Sequence, residues 1–236
     1  MFFPYYYYWY DPTYILIIIG FTISFISSAY MNITFKKYQR VRSKIGLSAS
    51  EVAKRILYIN NLLDVPVGHV SGNLTDHYAP TSKQLNLSDT TYDSTSIASI
   101  GVAAHECGHA IQDSTNFLPL VLQLSIRPIV SFASQLSIPL ILIGILLSMI
   151  NLAKIGVIAF LITFLYQILT LPIEFDASRR AIITLEENQI LNNEEIIGVK
   201  KVLTAAALTY VAAAATTLLQ FLRLLIILSS GRGRRE

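Results

Sequence analysis

Apolar positions in this chain fall into two patterns, long unbroken runs and short periodic ones. The first run, Tyr14 to Met31, carries no charge over 18 residues, just enough for a helix to span a bilayer. A periodic stretch follows. Ser48-Ala49-Ser50-Glu51 has the form of a capping box, and Val52, Ile56 and Leu57 continue it at helical spacing, predicting a helix that ends near Asn60-Asn61. Val65, Val67 and His69 then alternate with small or polar residues, Gly72-Asn73 marks a turn, and Leu85-Asn86-Leu87 alternates again, so short strands are expected. Asp93 or Ser94 can cap a further helix bearing Ile97 and Ile100, whose small residues (Gly101, Ala103, Ala104, Gly108, Ala110) allow another element to approach closely.

From Ser114 to Ile173 the only charges are Arg127 and Lys154. Ile129–Ile150 and Ile155–Ile173 are each long enough to cross at about 30 Å as helices, with Asn151 to Lys154 as the turn. This is a helical hairpin, which returns the chain to the side it left. A polar, acidic interval holds Glu186, Glu187, Glu194 and Glu195, and Val202 to Ser230 is apolar apart from Arg223. A fourth span there would place Arg232, Arg234 and Arg235 outside. A helix half packed on the mixed segment and half dipped into the bilayer, with Arg223 snorkelling, avoids that conflict. The expected organisation is a mainly α membrane protein: an anchor helix (1–34), a small α+β unit (35–113), a transmembrane hairpin (114–173), a helix and acidic segment (174–201), and a long apolar helix with a basic tail (202–236).

Composition agrees with a bilayer as the surroundings. Of 236 residues 53% are hydrophobic and 14% charged, and mean hydropathy is +0.52, whereas soluble domains are about 25% charged. The net charge of +3 lies beside apolar runs rather than in a separate patch, which argues against nucleic-acid binding. Tyr and Trp crowd Phe2 to Tyr10, as suits a headgroup layer. Lys36, Lys37, Arg40, Arg42 and Lys44 follow the first run, so the positive-inside rule puts the N-terminus outside and the α+β unit in the cytoplasm. The single cysteine, Cys107, excludes an intrachain disulfide and a multi-cysteine metal site.

Candidate chemistry lies in Ala103 to Ala110, which contains His105-Glu106-Cys107-Gly108-His109. On a helix, histidines four apart share one face and can converge on one metal ion, with the intervening Glu106 beside its open position. Neutral imidazole suits zinc, and a carboxylate there can take a proton from water. A catalytic zinc needs a third protein ligand. Glu174 and Asp176, directly after the hairpin, can supply it; alternatively they are solvated acids at a helix start, with Arg179 and Arg180 marking the cytoplasmic face.

With these residues, and with Leu74 to Tyr78, Pro172 to Ala181 and Ala205 to Tyr210, the chain resembles the bacterial membrane-bound neutral zinc metallopeptidases. It is more distantly similar to the heat-shock-type and prenyl-protein membrane zinc endopeptidases. That resemblance implies a zincin-like unit and zinc held by His105, His109 and Glu174. It also implies Glu106 as general base, and hydrolysis of a protein or peptide substrate at the bilayer. Glu174-Phe175-Asp176-Ala177-Ser178 follows the relatives' E-F-x-A-D, with Ser178 in place of the last Asp. A strand edge near Leu85 to Leu87 is expected to hold the substrate, and His77 or Tyr210 to donate to its oxyanion. Two other classes fit less well. An intramembrane metalloprotease would lack the polar residues that flank this motif's helix, and a scaffold or transporter with a structural metal leaves Glu106 without a role.

Overall fold

The structure is a computed structural model that describes residues 11–230. The aromatic stretch Phe2 to Tyr10 and the basic tail lie outside the described residues. Six helices and three strands are described: α1 (Tyr14–Gln39), α2 (Ala49–Ile59), β1 (Val67–Val70), β2 (His77–Ala79), β3 (Gln84–Ser88), α3 (Ile97–Ser114), α4 (Leu118–Leu146), α5 (Ile150–Glu187) and α6 (Asn193–Ser230). The mainly helical membrane architecture expected above is what the chain adopts. α1, α4, α5 and α6 are all long and apolar enough to cross a membrane. Large apolar side chains such as Phe21, Phe25, Ile129, Phe132 and Ile158 stand exposed along them. A surface of that kind is stable against lipid tails and costly against water.

The chain divides into two compact units, one of 27–125 with 169–210 and one of 1–26, 126–168 and 211–236. In the first, local signals act as their chemistry dictates. The Ser48 hydroxyl accepts from Glu51 N–H while the Glu51 carboxylate accepts from Ser48 N–H, the reciprocal capping box that starts α2. α3 is capped by Ser96 rather than by Asp93 or Ser94, because Ser96 Oγ accepts from Ser99 N–H at 3.1 Å. The sheet has the order β1-β3-β2, with β3 parallel to β1 and antiparallel to β2. Both edges of β3 are therefore paired, and the substrate edge expected at Leu85 to Leu87 is not available. β2 and β1 are the edges. The core joins Val52 and Ile56 of α2, Leu85 and Leu87 of β3, Ile100 and Cys107 of α3, Leu185 of α5 and Val199 of α6.

In the second unit α1 and α6 run antiparallel. Thr216 Oγ1 lies 2.8 Å from Ser24 Oγ and donates to the Gly20 carbonyl at 2.9 Å. Further along, Arg223 donates to Asp11 at 3.3 Å and to Thr13 at 3.2 Å, and its guanidinium lies over the Tyr14 ring. Arg223 is thus paired at the start of α1, and α6 runs alongside α1 as far as that end. α4 and α5 form the hairpin, but the turn is Leu147 to Met149, with Ser148 at φ 55°; Asn151 to Lys154 are helical. Gly156 lets the two helices touch, since a Cβ there would lie 2.8 Å from the Ser137 carbonyl oxygen. α5 does not restart after Pro172. It runs through it, as membrane helices tolerate when neighbouring groups satisfy the freed carbonyl.

Candidate metal centre

Three side chains from two helices converge. α3 presents His105 and His109 one turn apart, with ring centroids 4.7 Å apart and planes at 85°, and α5 brings Glu174 between them. Glu174 Oε2 lies 3.2 Å from His105 Nε2 and 3.8 Å from His109 Nε2, and the three ligand atoms lie within 4.8 Å of one another. Donors about 2.0–2.1 Å from a tetrahedral zinc stand roughly 3.4 Å apart, so the spacing fits that ion. The close approach of α3 and α5 depends on Gly108. A Cβ there would overlap the Ala177 carbonyl and lie 3.0 Å from Ala177 Cα.

The surroundings fix which nitrogen faces the trio. Gln112 is fully buried. Its amide NH₂ donates to the Ile173 carbonyl at 2.8 Å and to Asp176 Oδ2 at 3.0 Å, two groups that only accept. Its oxygen is then turned to His109 Nδ1, 3.0 Å away, which must carry the proton and leave Nε2 free to bind metal. Asp176 is held by Arg179 and Arg180, so a carboxylate braces His109 through one amide. His105 Nδ1 lies 3.1 Å from Ser178 Oγ. Gln112 and Ser178 were not singled out from the sequence as partners of the histidines. The available signal was position, since Gln112 follows His109 by one turn of an apolar helix, where a buried amide must be paired.

Glu106 is buried against β2, where its Oε2 accepts the Tyr78 backbone N–H at 2.9 Å. The Tyr78 hydroxyl donates to Asp113 at 2.7 Å, a second tie between β2 and α3. Burial and the Asp113 carboxylate push the Tyr78 phenol up, so it stays a donor at neutral pH. Asp113 is thereby engaged away from the trio. Burial opposes a charge on His105, but the Glu174 hydrogen bond and the Glu106 and Glu174 charges outweigh it and raise its pKa. Burial likewise pushes the Cys107 thiol up and leaves it inert. The Tyr210 hydroxyl of α6 lines the same cavity as Glu106 and Glu174. His77 is exposed and occupied elsewhere, its Nδ1 2.9 Å from the Thr75 carbonyl and its Nε2 3.2 Å from Asn86. Of the two oxyanion candidates, only Tyr210 lies in the cavity.

A helix-borne pair of histidines and a carboxylate from a second helix, with an acid beside them, form a group that could hold a zinc ion. A family model described as "Putative neutral zinc metallopeptidase" matches residues 13–229, and the chain belongs to that family. It is 46% identical over 211 residues, 89% of this chain and 93% of the relative, to the "Putative membrane protease YugP" of Bacillus subtilis (strain 168). No solved structure matches the chain. The protein is a membrane protein of a zinc metallopeptidase family, and zinc is the metal that the trio and the family indicate.

Proposed function

We propose that this protein is a membrane-bound zinc endopeptidase in which His105, His109 and Glu174 hold the ion and Glu106 is the general base. The supporting observation is the position of Glu106, buried next to His105 and held by a backbone N–H. When bound, zinc lowers the pKa of a water to about 7 and polarises the scissile carbonyl. Glu106 Oε2 is committed to Tyr78, which leaves Oε1 to take the proton of the attacking water and return it to the leaving amine. The Tyr210 hydroxyl donates to the oxygen that becomes anionic, a contact worth about 10²–10³-fold in comparable sites. β2 is the sheet edge beside Glu106, and an extended substrate adds there as a further strand. The basic residues from Lys36 to Lys44 support a cytoplasmic location for this chemistry.

The test is metal removal. The chelated protein loses hydrolysis of an unfolded casein-like substrate, and stoichiometric zinc restores it. Hydrolysis that survives complete zinc removal would rule the proposal out.

A further inference from the structure

The cavity over the trio has one polar wall and one apolar wall. His105, Glu106, Glu174 and Tyr210 form the first; Met31, Leu74, Val102, Val202, Leu203 and the alanines Ala206 and Ala207 form the second. Its volume is about 170 Å³, and a cavity of about 150 Å³ takes a benzene ring. Two features set the apolar wall apart from ordinary core. Ala206 and Ala207, two small side chains in succession, both line the cavity. Leu74 sits at φ 55°, a backbone region that favours glycine and is costly for a bulky residue, yet its side chain is kept there, 40% exposed and lining the cavity.

The third feature is the lone acid outside the trio and Glu106. Asp76 would favour a cationic side chain if it were free. Its oxygens already accept from the Ser88 N–H (2.8 Å), the Ser88 hydroxyl (2.8 Å) and the Thr91 hydroxyl (3.1 Å). It ties the loop to β3 instead.

We infer that this cavity is the subsite for a Leu- or Phe-sized apolar side chain next to the scissile bond, and that it sets the cleavage preference. This rests on the peptidase reading of the same site. In an apolar pocket a single methylene changes specificity roughly 10- to 200-fold, so the preference is large enough to read.

The experiment uses the full-length, zinc-loaded, detergent-solubilised protein and peptides that differ only at one of the two positions flanking the scissile bond (Gly, Ala, Leu, Phe, Asp, Lys). Affinities are measured on Glu106→Gln, which needs no turnover, and kcat/KM on wild type. At one of the two positions Leu and Phe bind at least about 10-fold tighter than Gly, Asp or Lys. Ala206→Phe removes that advantage without changing zinc affinity, and Val202→Ala, which enlarges the pocket at a buried position packed with Phe35 and Ala98, moves the optimum from Leu towards Phe. Equal affinities across the series, a preference for Lys, or an unchanged Leu preference in both variants would overturn the inference. A retained binding preference with no cleavage by wild type would support the pocket and sink the peptidase reading instead.

Discussion

Gln112 has both amide hydrogens committed to acceptors, so its oxygen is the one group that can meet His109, and the histidine's tautomer follows from that. Residues bearing on the metal therefore sort by what they touch. Glu174 lies within ligand distance of both histidines, Asp176 reaches His109 through Gln112, and Asp113 holds only the Tyr78 hydroxyl. Zinc affinity measured under identical conditions should follow the same order. Glu174→Ala loses the ion almost completely, Asp176→Ala weakens it about 10- to 100-fold, and Asp113→Ala leaves it near wild type. Zinc retained by Glu174→Ala but lost by Asp176→Ala would contradict the assignment. The grouping of the two histidines was legible because i, i+4 spacing puts them on one face of a helix. The bracing was not, because Gln112 and Asp176 lie 64 positions apart and no local pattern links them.

At the scale of elements, the site is the meeting of α3 with α5, and Gly108 against Ala177 is where they touch. Gly108→Ala adds one methyl group on to a backbone carbonyl that has no rotamer to escape into. Overpacking of this kind costs about 1–3 kcal/mol and moves Glu174 away from the histidines three residues before Ala177. We expect zinc affinity to fall at least tenfold and the zinc-dependent rise in Tm to shrink; an unchanged metal affinity would show that the contact does not set the site. α2 was legible from four residues because its capping box is local. β2 was not, since a three-residue strand carries no periodicity of its own, and Tyr78 is held by Glu106 and Asp113. The sequence predicts a boundary between Ile173 and Glu174, but α5 is continuous through Pro172 and past it, as membrane helices tolerate.

For the whole molecule, four apolar helices are long enough to cross a membrane, and the flanking charge carries the proposed orientation. The proposed orientation, with the basic stretch after α1 inside, predicts the hairpin turn at Ser148 outside the cell and the exposed Lys83 in the cytoplasm. Single-cysteine variants read this in intact cells with an impermeant thiol reagent: Ser148→Cys labels and Lys83→Cys labels only after lysis. The native Cys107, buried and with its thiol pushed up, stays silent in both. Labelling of Lys83→Cys alone in intact cells would reverse the orientation. The central claim is that a zinc held by three side chains acts with Glu106 to cleave peptide bonds, and a single variant separates the holding from the cleaving. Purified Glu106→Gln should keep one zinc per chain and the wild-type Tm while hydrolysis of the casein-like substrate falls at least about 100-fold. Turnover close to wild type, or loss of the metal with the carboxylate, would contradict the account.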